Sequence, residues 1–294
     1  MLKRVATQLV RMAVLTLAAG LIGAFLARYS PGALVDEREL DHRLSEDSLS
    51  ALRATKGKDA NAGANFARYV RGLARGDLGY SRSNHAPIRE LILDRAPETL
   101  RELAIGLAGS WLLGLGFAIP VGRWRRAWIY DGAASLTAGL LLCLPAALVA
   151  YLCLAAGSKS AVVLVIVLTP KIFRFTRNVV VEAYSASHVT MARARGITES
   201  RILWGHVLRS AAPQLLALAA ISASMAIGAA IPIETICDVP GLGRLAWQAA
   251  TSRDLPLLVN LTMLVALITI AATSLAEAMT PVEAAACREG ARSR

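Results

Sequence analysis

The chain has 294 residues, 55% of them hydrophobic, yet its formal net charge is +11 at pH 7. Its apolar residues gather into runs near or above the length that spans a hydrocarbon core of roughly 30 Å, which excludes an ordinary soluble domain. The basic excess sits in short stretches between those runs, a topology signal rather than a phosphate-binding face, so the partner it implies is membrane lipid and not nucleic acid.

The first run, residues 5–27, follows Lys3 and Arg4 and is broken only by Gln8 and Arg11. It reads as a retained first span; a cleaved signal peptide is the alternative, since small residues precede Arg28. Residues 28–98 are polar with balanced charge, which makes them one region outside the membrane. Within it Phe66, Tyr69, Val70 and Leu73 form the i, i+3, i+4, i+7 stripe of an amphipathic helix, and Gly76-Asp77-Leu78-Gly79-Tyr80 ends that helix with turn residues.

A second span is expected at about 100–121, followed by Arg123, Arg125 and Arg126 with no acid before Asp131. The third, about 132–156, is separated from the fourth, about 161–181, only by Gly157-Ser158-Lys159-Ser160. Residues 182–210 are polar, with Arg193, Arg195, Arg201 and Arg209 against Glu182 and Glu199. The fifth span is about 211–233 and the sixth about 256–278, with a mixed-charge loop between them. Counted alternately, the N-terminus, 122–130, 182–210 and the tail are basic, while 28–98, 157–160 and 234–255 are near neutral. The basic set marks the cytoplasmic side. The chain is therefore an all-α membrane protein of about six spans with both termini inside. Its expected parts are residues 1–27, an extracytoplasmic region 28–98, a core 99–281 and a cytoplasmic tail 282–294.

No catalytic signature is present: HExxH, GxSxG, a phosphate loop and metal-spaced His/Cys clusters are all missing. The four cysteines form no framework and read as inert thiols. His42 and His85 fall outside the membrane and His188 and His206 inside, and their spacing argues for no pair. The expectation is no metal, no cofactor bound by this chain and no catalytic residue.

Three cations, Lys171, Arg174 and Arg177, lie at intervals of three on the fourth span, after Pro170, which removes a backbone hydrogen bond and should kink the helix. Cations at this spacing share a broad face. They either line a pathway, since intramembrane charge faces protein or water, or, for the arginines, snorkel to the headgroups.

Residues 182–210 read as a helix–turn–helix. A short helix 182–195 ends at Gly196 in a left-handed cap, and Thr198-Glu199-Ser200 caps a second helix, 201–208. The small residues Ala192, Ala194 and Gly196 at the bend admit close approach by another protein; a plain surface hairpin is the alternative.

This stretch resembles the cytoplasmic "EAA" loop of binding-protein-dependent ABC importer permeases, of the dipeptide, oligopeptide and nickel type. The matching residues are Arg174-Phe175-Thr176-Arg177, Glu182, Ala192-Arg193-Ala194-Arg195-Gly196-Ile197 and His206-Val207-Leu208-Arg209. Further matches are Ser30-Pro31-Gly32, Gly76-Asp77-Leu78-Gly79-Tyr80-Ser81, Arg95-Ala96-Pro97-Glu98-Thr99-Leu100, Glu234-Thr235, Pro240-Gly241-Leu242-Gly243-Arg244-Leu245 and Arg253-Asp254-Leu255-Pro256. The resemblance implies a type I importer permease in the bacterial inner membrane. Its partners would be a second permease subunit, two ATPase subunits that use the ATP, and an extracytoplasmic substrate-binding protein. It places Ser187, His188, Met191, Ala192, Ala194, Arg195, Gly196 and Ile197 in a coupling helix that docks on the ATPase. It places Glu234, Pro240, Gly241 and Gly243 at the external gate, or alternatively in a tight re-entrant connection; Lys171 and Arg174 are the pathway candidates read from the fourth span. The chain departs from the family pattern in its short 157–160 loop, in Pro31-Gly32-Ala33, in Thr280-Pro281-Val282, and in Ser187 and His188, which replace an acidic–aromatic pair. An ATP-independent secondary transporter or channel is the rival reading, favoured by Lys171 and the Pro170 break. A membrane-embedded hydrolase lacks a candidate nucleophile.

Overall fold

The computed structural model describes residues 77–123 and 128–279, with Val14, Ala18, Ile22 and Gly72. Apart from Val14, Ala18 and Ile22 the expected first span lies outside the described residues, as do the Phe66–Tyr69–Val70–Leu73 stripe, Arg125, Arg126 and the tail. Among the described residues regular structure is helical, apart from one isolated bridge between Tyr80 and Pro87.

Helix α1 covers Ile88–Arg123, with Glu90 in its first turn and Arg123 in its last, each sign suited to that end of the helix dipole. Helices α2 (Trp128–Cys143) and α3 (Ala146–Ala155) follow, then α4 (Ser160–Ser185) and the short α5 (Ser187–Ala194). Next come α6 (Glu199–Ile202), a π-helical turn Leu203–Val207 and α7 (Leu208–Ile236), then α8 (Leu242–Thr251) and α9 (Leu255–Met279).

Three of these stretches are long and apolar enough to cross a membrane: Ile88–Arg123, Glu199–Ile236 and Leu255–Leu275. Helix α4 has 26 residues, about 39 Å at 1.5 Å per residue, and runs through Pro170 while carrying Lys171, Arg174 and Arg177.

Three expectations are corrected. The single span at 132–156 is two helices bent by 97° at a short break. Pro145 stands at that break with φ −60°; it has no N–H to donate and pushes Leu144 out of helical geometry. The helix expected at 182–195 is interrupted at Ala186, where ψ is 143°, so Glu182 belongs to α4 and only Ser187–Ala194 forms the short helix. The separate helix expected at 201–208 does not end: Glu199–Ile236 is one continuous 38-residue helix, with the π turn inside it.

The chain divides into two compact units, Met1–Pro97 with Leu245–Leu267, and Glu98–Arg244 with Ile268–Arg294. In the larger unit α1 lies against α4 along a seam of glycines. A Cβ on Gly106 would stand 2.3 Å from Leu164 Cδ2, one on Gly114 2.8 Å from Ile172 Cγ2, and one on Gly122 2.7 Å from Tyr184 Cδ2. Bare backbone is what lets the helices approach this closely. Both sets of numbers ascend together, so α1 and α4 run in the same sense. Helix α7 runs oppositely to α1: Thr99 Oγ1 donates to Glu234 Oε1 at 2.7 Å, and Trp111 Nε1 to Ser222 Oγ at 3.0 Å. One end of this unit therefore gathers residues near 99, 160 and 234, and the other residues near 122, 184 and 199. That is the alternation the loop charges predicted, reached from packing alone. The core between them is Val149 and Ala150 of α3, Val163, Leu164, Leu168 and Ile172 of α4, and Ala226, Ala229 and Ile233 of α7.

In the smaller unit Asp254, 1% exposed, ties the segment before α1 to the start of α9. Its Oδ2 accepts from Ser81 Oγ at 2.6 Å and from Ser83 N and Oγ at 2.9 Å each, and its Oδ1 accepts from Leu257 N at 3.3 Å. Burial opposes the charge, but these donors outweigh it and hold the carboxyl below the ordinary aspartate range. Asn260 Nδ2 adds a donation to Leu78 O at 2.9 Å.

Candidate functional site

The stretch after α4 builds a small surface element with its own core. Val180 and Tyr184 of α4, Val189 and Ala192 of α5, Ile202 of α6 and Val207 of the π turn form one buried cluster. This puts one face of α5 inward and leaves Ser187, His188, Met191, Ala194, Arg195 and Gly196 exposed, with Ile197 half-buried and Ala192 inward. Met191 is 58% exposed, and Trp204, on the π turn, 74%.

The end of α5 is the cap expected from sequence. Gly196 has φ +73°; its N–H donates to Arg193 O at 2.9 Å, and that of Ile197 to Ala192 O at 3.2 Å, the paired bonds of a Schellman motif. Nothing lies within 4 Å of where a Gly196 Cβ would be, so the glycine is there for its backbone and not for space. Thr198 precedes α6 as expected but makes no side-chain cap bond. The bend is instead held by Arg193 Nε, which donates to Glu199 Oε1 at 2.8 Å and keeps its guanidinium more firmly charged for doing so. The Arg193 guanidinium also lies 5.7 Å from the Tyr184 ring centroid.

The spacing of His188 and His206 argued for no pair, yet the fold brings their rings to 6.2 Å between centroids. No sequence periodicity predicts this, because it depends on the turn at Gly196 and on the extra residue of the π turn.

At the opposite end of the same unit, Glu234 is fully buried at the end of α7. Its Oε2 accepts from Gly243 N at 2.7 Å and Arg244 N at 3.1 Å, and its Oε1 from Thr99 Oγ1. Thr99 Oγ1 in turn accepts from Leu242 N at 2.8 Å. Three amides at the N-terminus of α8, orphaned by helix geometry, are thus capped by two side chains distant in sequence. The expected loop 234–255 therefore holds the ten-residue helix α8, and Glu234 is its cap. Gly241 and Gly243 are glycines for space: a Cβ on Gly241 would lie 2.2 Å from Glu234 Oε2, and one on Gly243 2.7 Å from Ile231 Cα. Pro240 sits in the turn between, where Gly241 N donates to Val239 O at 2.8 Å. Close by, Ser160 Oγ donates to Glu102. Thr99 had been quoted only as part of a matching block; its role as a double partner needed coordinates.

Of the three cations on α4, Arg177 pairs with Asp131 of α2, its Nε donating to Oδ1 at 2.9 Å. Lys171 is half-buried and Arg174 exposed. The structure therefore separates the three: one is committed to a neighbouring helix.

Long apolar helices in alternating directions, with one broken helix pair among them, are the architecture of a multi-pass membrane protein. The chain belongs to the family of binding-protein-dependent transport system inner membrane components, whose sequence profile matches residues 112–282. It is a permease subunit of an ABC importer, located in the bacterial inner membrane. The glutathione transport system permease protein GsiC of Salmonella paratyphi A is 25% identical over 246 residues, 78% of this chain and 79% of that protein. A putative peptide permease protein of Brucella suis biovar 1 is 27% identical over 251 residues, 76% and 78% of the two chains. The solved MetNI methionine ABC transporter, in an inward-facing conformation, matches with a TM-score of 0.55 at 21% identity, over 65% of this chain and 97% of that one. The fold is the type I importer permease fold.

Proposed function

We propose that this chain forms one half of the translocation pathway of an importer for short peptides or similar small solutes. In this reading a second permease subunit supplies the other half and an extracytoplasmic substrate-binding protein delivers the solute. Two ATPase subunits use the ATP, and this chain binds no nucleotide. The observation that carries it is α5: a short helix, anchored by Val189 and Ala192, that offers Ser187, His188, Met191, Ala194 and Arg195 outward beside an exposed Trp204. A rigid surface helix of this kind transmits a push from a docked partner into the spans that anchor it. At the other end Glu234 couples the tip of α7 to the first turn of α8, which suits a gate built on Pro240, Gly241 and Gly243. Lys171 and Arg174 are proposed to face the pathway. The peptide class rests on the relatives named above.

The test is co-expression with ABC-type ATPase subunits, a second permease and a binding protein from the same genome. Met191→Cys should cross-link to an ATPase cysteine series, and hydrolysis in the reconstituted complex should rise with peptide and binding protein. A complex that assembles without cross-linking through α5, and hydrolyses ATP without responding to peptide, would overturn both parts.

A further inference from the structure

Helix α5 and the π turn bring two imidazoles together, and neither is used by the cap, the ion pairs or the core already described. His188 is exposed and His206 half-buried, with ring centroids 6.2 Å apart and planes tilted by 41°. We propose that His188 and His206 form a two-imidazole site for a divalent transition-metal ion, bridging α5 and the base of the long helix Glu199–Ile236.

The distance carries the argument. A ring nitrogen ligates such ions at about 2.0–2.1 Å and lies about 1.1 Å from its ring centre, so two imidazoles on one ion have centroids from about 4.5 Å apart at a right angle to about 6.3 Å apart when opposite one another. The observed separation of 6.2 Å lies at the upper end of that interval, where the two rings stand on nearly opposite sides of the ion, as equatorial ligands of copper can. Two further observations fix the frame. The next residues in sequence, Val189 and Val207, are each 0% exposed and sit in one cluster, so the two backbones cannot drift apart. The π turn Leu203–Val207 adds a residue to the ladder, and without it His206 would sit about 100° further round the helix.

The ligand chemistry selects the ion. Imidazole suits copper, nickel and zinc, whereas magnesium and calcium take oxygen ligands. Exposure leaves open positions on the ion for water or for a carboxylate of a docked protein. The arginines of the stretch oppose a cation, but Arg193 is held by Glu199, and Arg195, Arg201 and Arg209 are exposed and screened by salt. The site does not depend on α5 meeting an ATPase; it stands on the two rings alone.

The experiment uses the full chain in lipid nanodiscs, purified without a polyhistidine tag and titrated with Cu2+ followed by electron paramagnetic resonance, and with Ni2+ and Zn2+ followed by calorimetry. Wild type should bind one equivalent with two equatorial nitrogens on copper, with Mg2+ in excess giving no competition. His188→Ala and His206→Ala should each weaken binding at least tenfold and leave one nitrogen or none, while His85→Ala behaves as wild type. Because the copper spectrum of the unaltered protein counts nitrogens directly, misfolding of a variant does not obscure the answer. A single nitrogen in wild type, or affinity within twofold of wild type in either variant, overturns the proposal.

Discussion

Thr99→Val should release the first turn of α8 while changing almost nothing else. The two side chains have the same shape, but valine neither donates to Glu234 Oε1 nor accepts from Leu242 N, the bonds found at 2.7 and 2.8 Å. A donation to a carboxyl contributes about 1.5–3 kcal/mol when charged, and a buried N–H left without a partner costs about 1–3 kcal/mol. The substitution therefore removes on the order of 2.5–6 kcal/mol from the docking of this turn. Glu234 keeps Gly243 N and Arg244 N, so the helix should persist and open more often rather than unfold. At about 1.4 kcal/mol per tenfold, amide exchange at 242–244 should accelerate by roughly sixtyfold to some ten-thousandfold. Hydrogen exchange read by mass spectrometry on the nanodisc-embedded chain measures this, with Thr99→Ser as the variant that retains the hydroxyl and should exchange as wild type does. Unchanged exchange at 242–244 in the valine variant would refute the cap. Gly241→Ala tests the same joint from the other side, since its Cβ would enter the Glu234 carboxyl at 2.2 Å.

At Gly196 a valine meets no neighbour, so only the left-handed backbone resists it, at about 1–2 kcal/mol. Gly196→Val should leave the spans inserted while weakening ATPase copurification and peptide-stimulated hydrolysis; wild-type values for both would make Gly196 a turn residue only. Lys171→Ala should lower transport with assembly intact if the side chain lines the pathway, and transport at the wild-type rate with normal abundance would remove it. For Asp254 the folded pKa lies below the unfolded one, so its contribution is present above the unfolded pKa of about 3.9 and is lost as pH falls through the folded value. Acidification below about pH 4 should therefore free the Ser81–Ser83 segment to proteolysis, and Asp254→Asn should flatten that pH dependence.

Hydropathy and charge made the spans and their alternation legible because both act over many residues. The break after Cys143 was hidden because Leu144 and Pro145 are as apolar as what surrounds them; direction leaves no trace in a hydropathy sum, and Pro145 was its only local sign. Helix α8 was taken for loop on account of its flanking charges, although Leu242, Leu245, Ala246 and Ala249 carry helical spacing. The Gly196 cap was readable, since a left-handed residue after a helix is a local requirement. The partnerships Thr99–Glu234 and His188–His206 were not, because each joins segments whose meeting depends on how whole helices pack.

The unbroken helix Glu199–Ile236 is, at 38 residues, about 57 Å long. Such a rod is stiff in bending, so a displacement at one end arrives at the other with little lost to intermediate joints. Its compliance is concentrated where the ladder is widened or interrupted, at Leu203–Val207 and Pro213 near its base and at Pro232 near its tip. Mechanically that makes the π turn and Pro213 a wrist on a stiffer forearm, with Pro232 a knuckle behind the Glu234 cap at the fingertip. Changes that soften or splint the wrist should alter how much of a stroke is delivered, leaving what is gripped at either end unchanged.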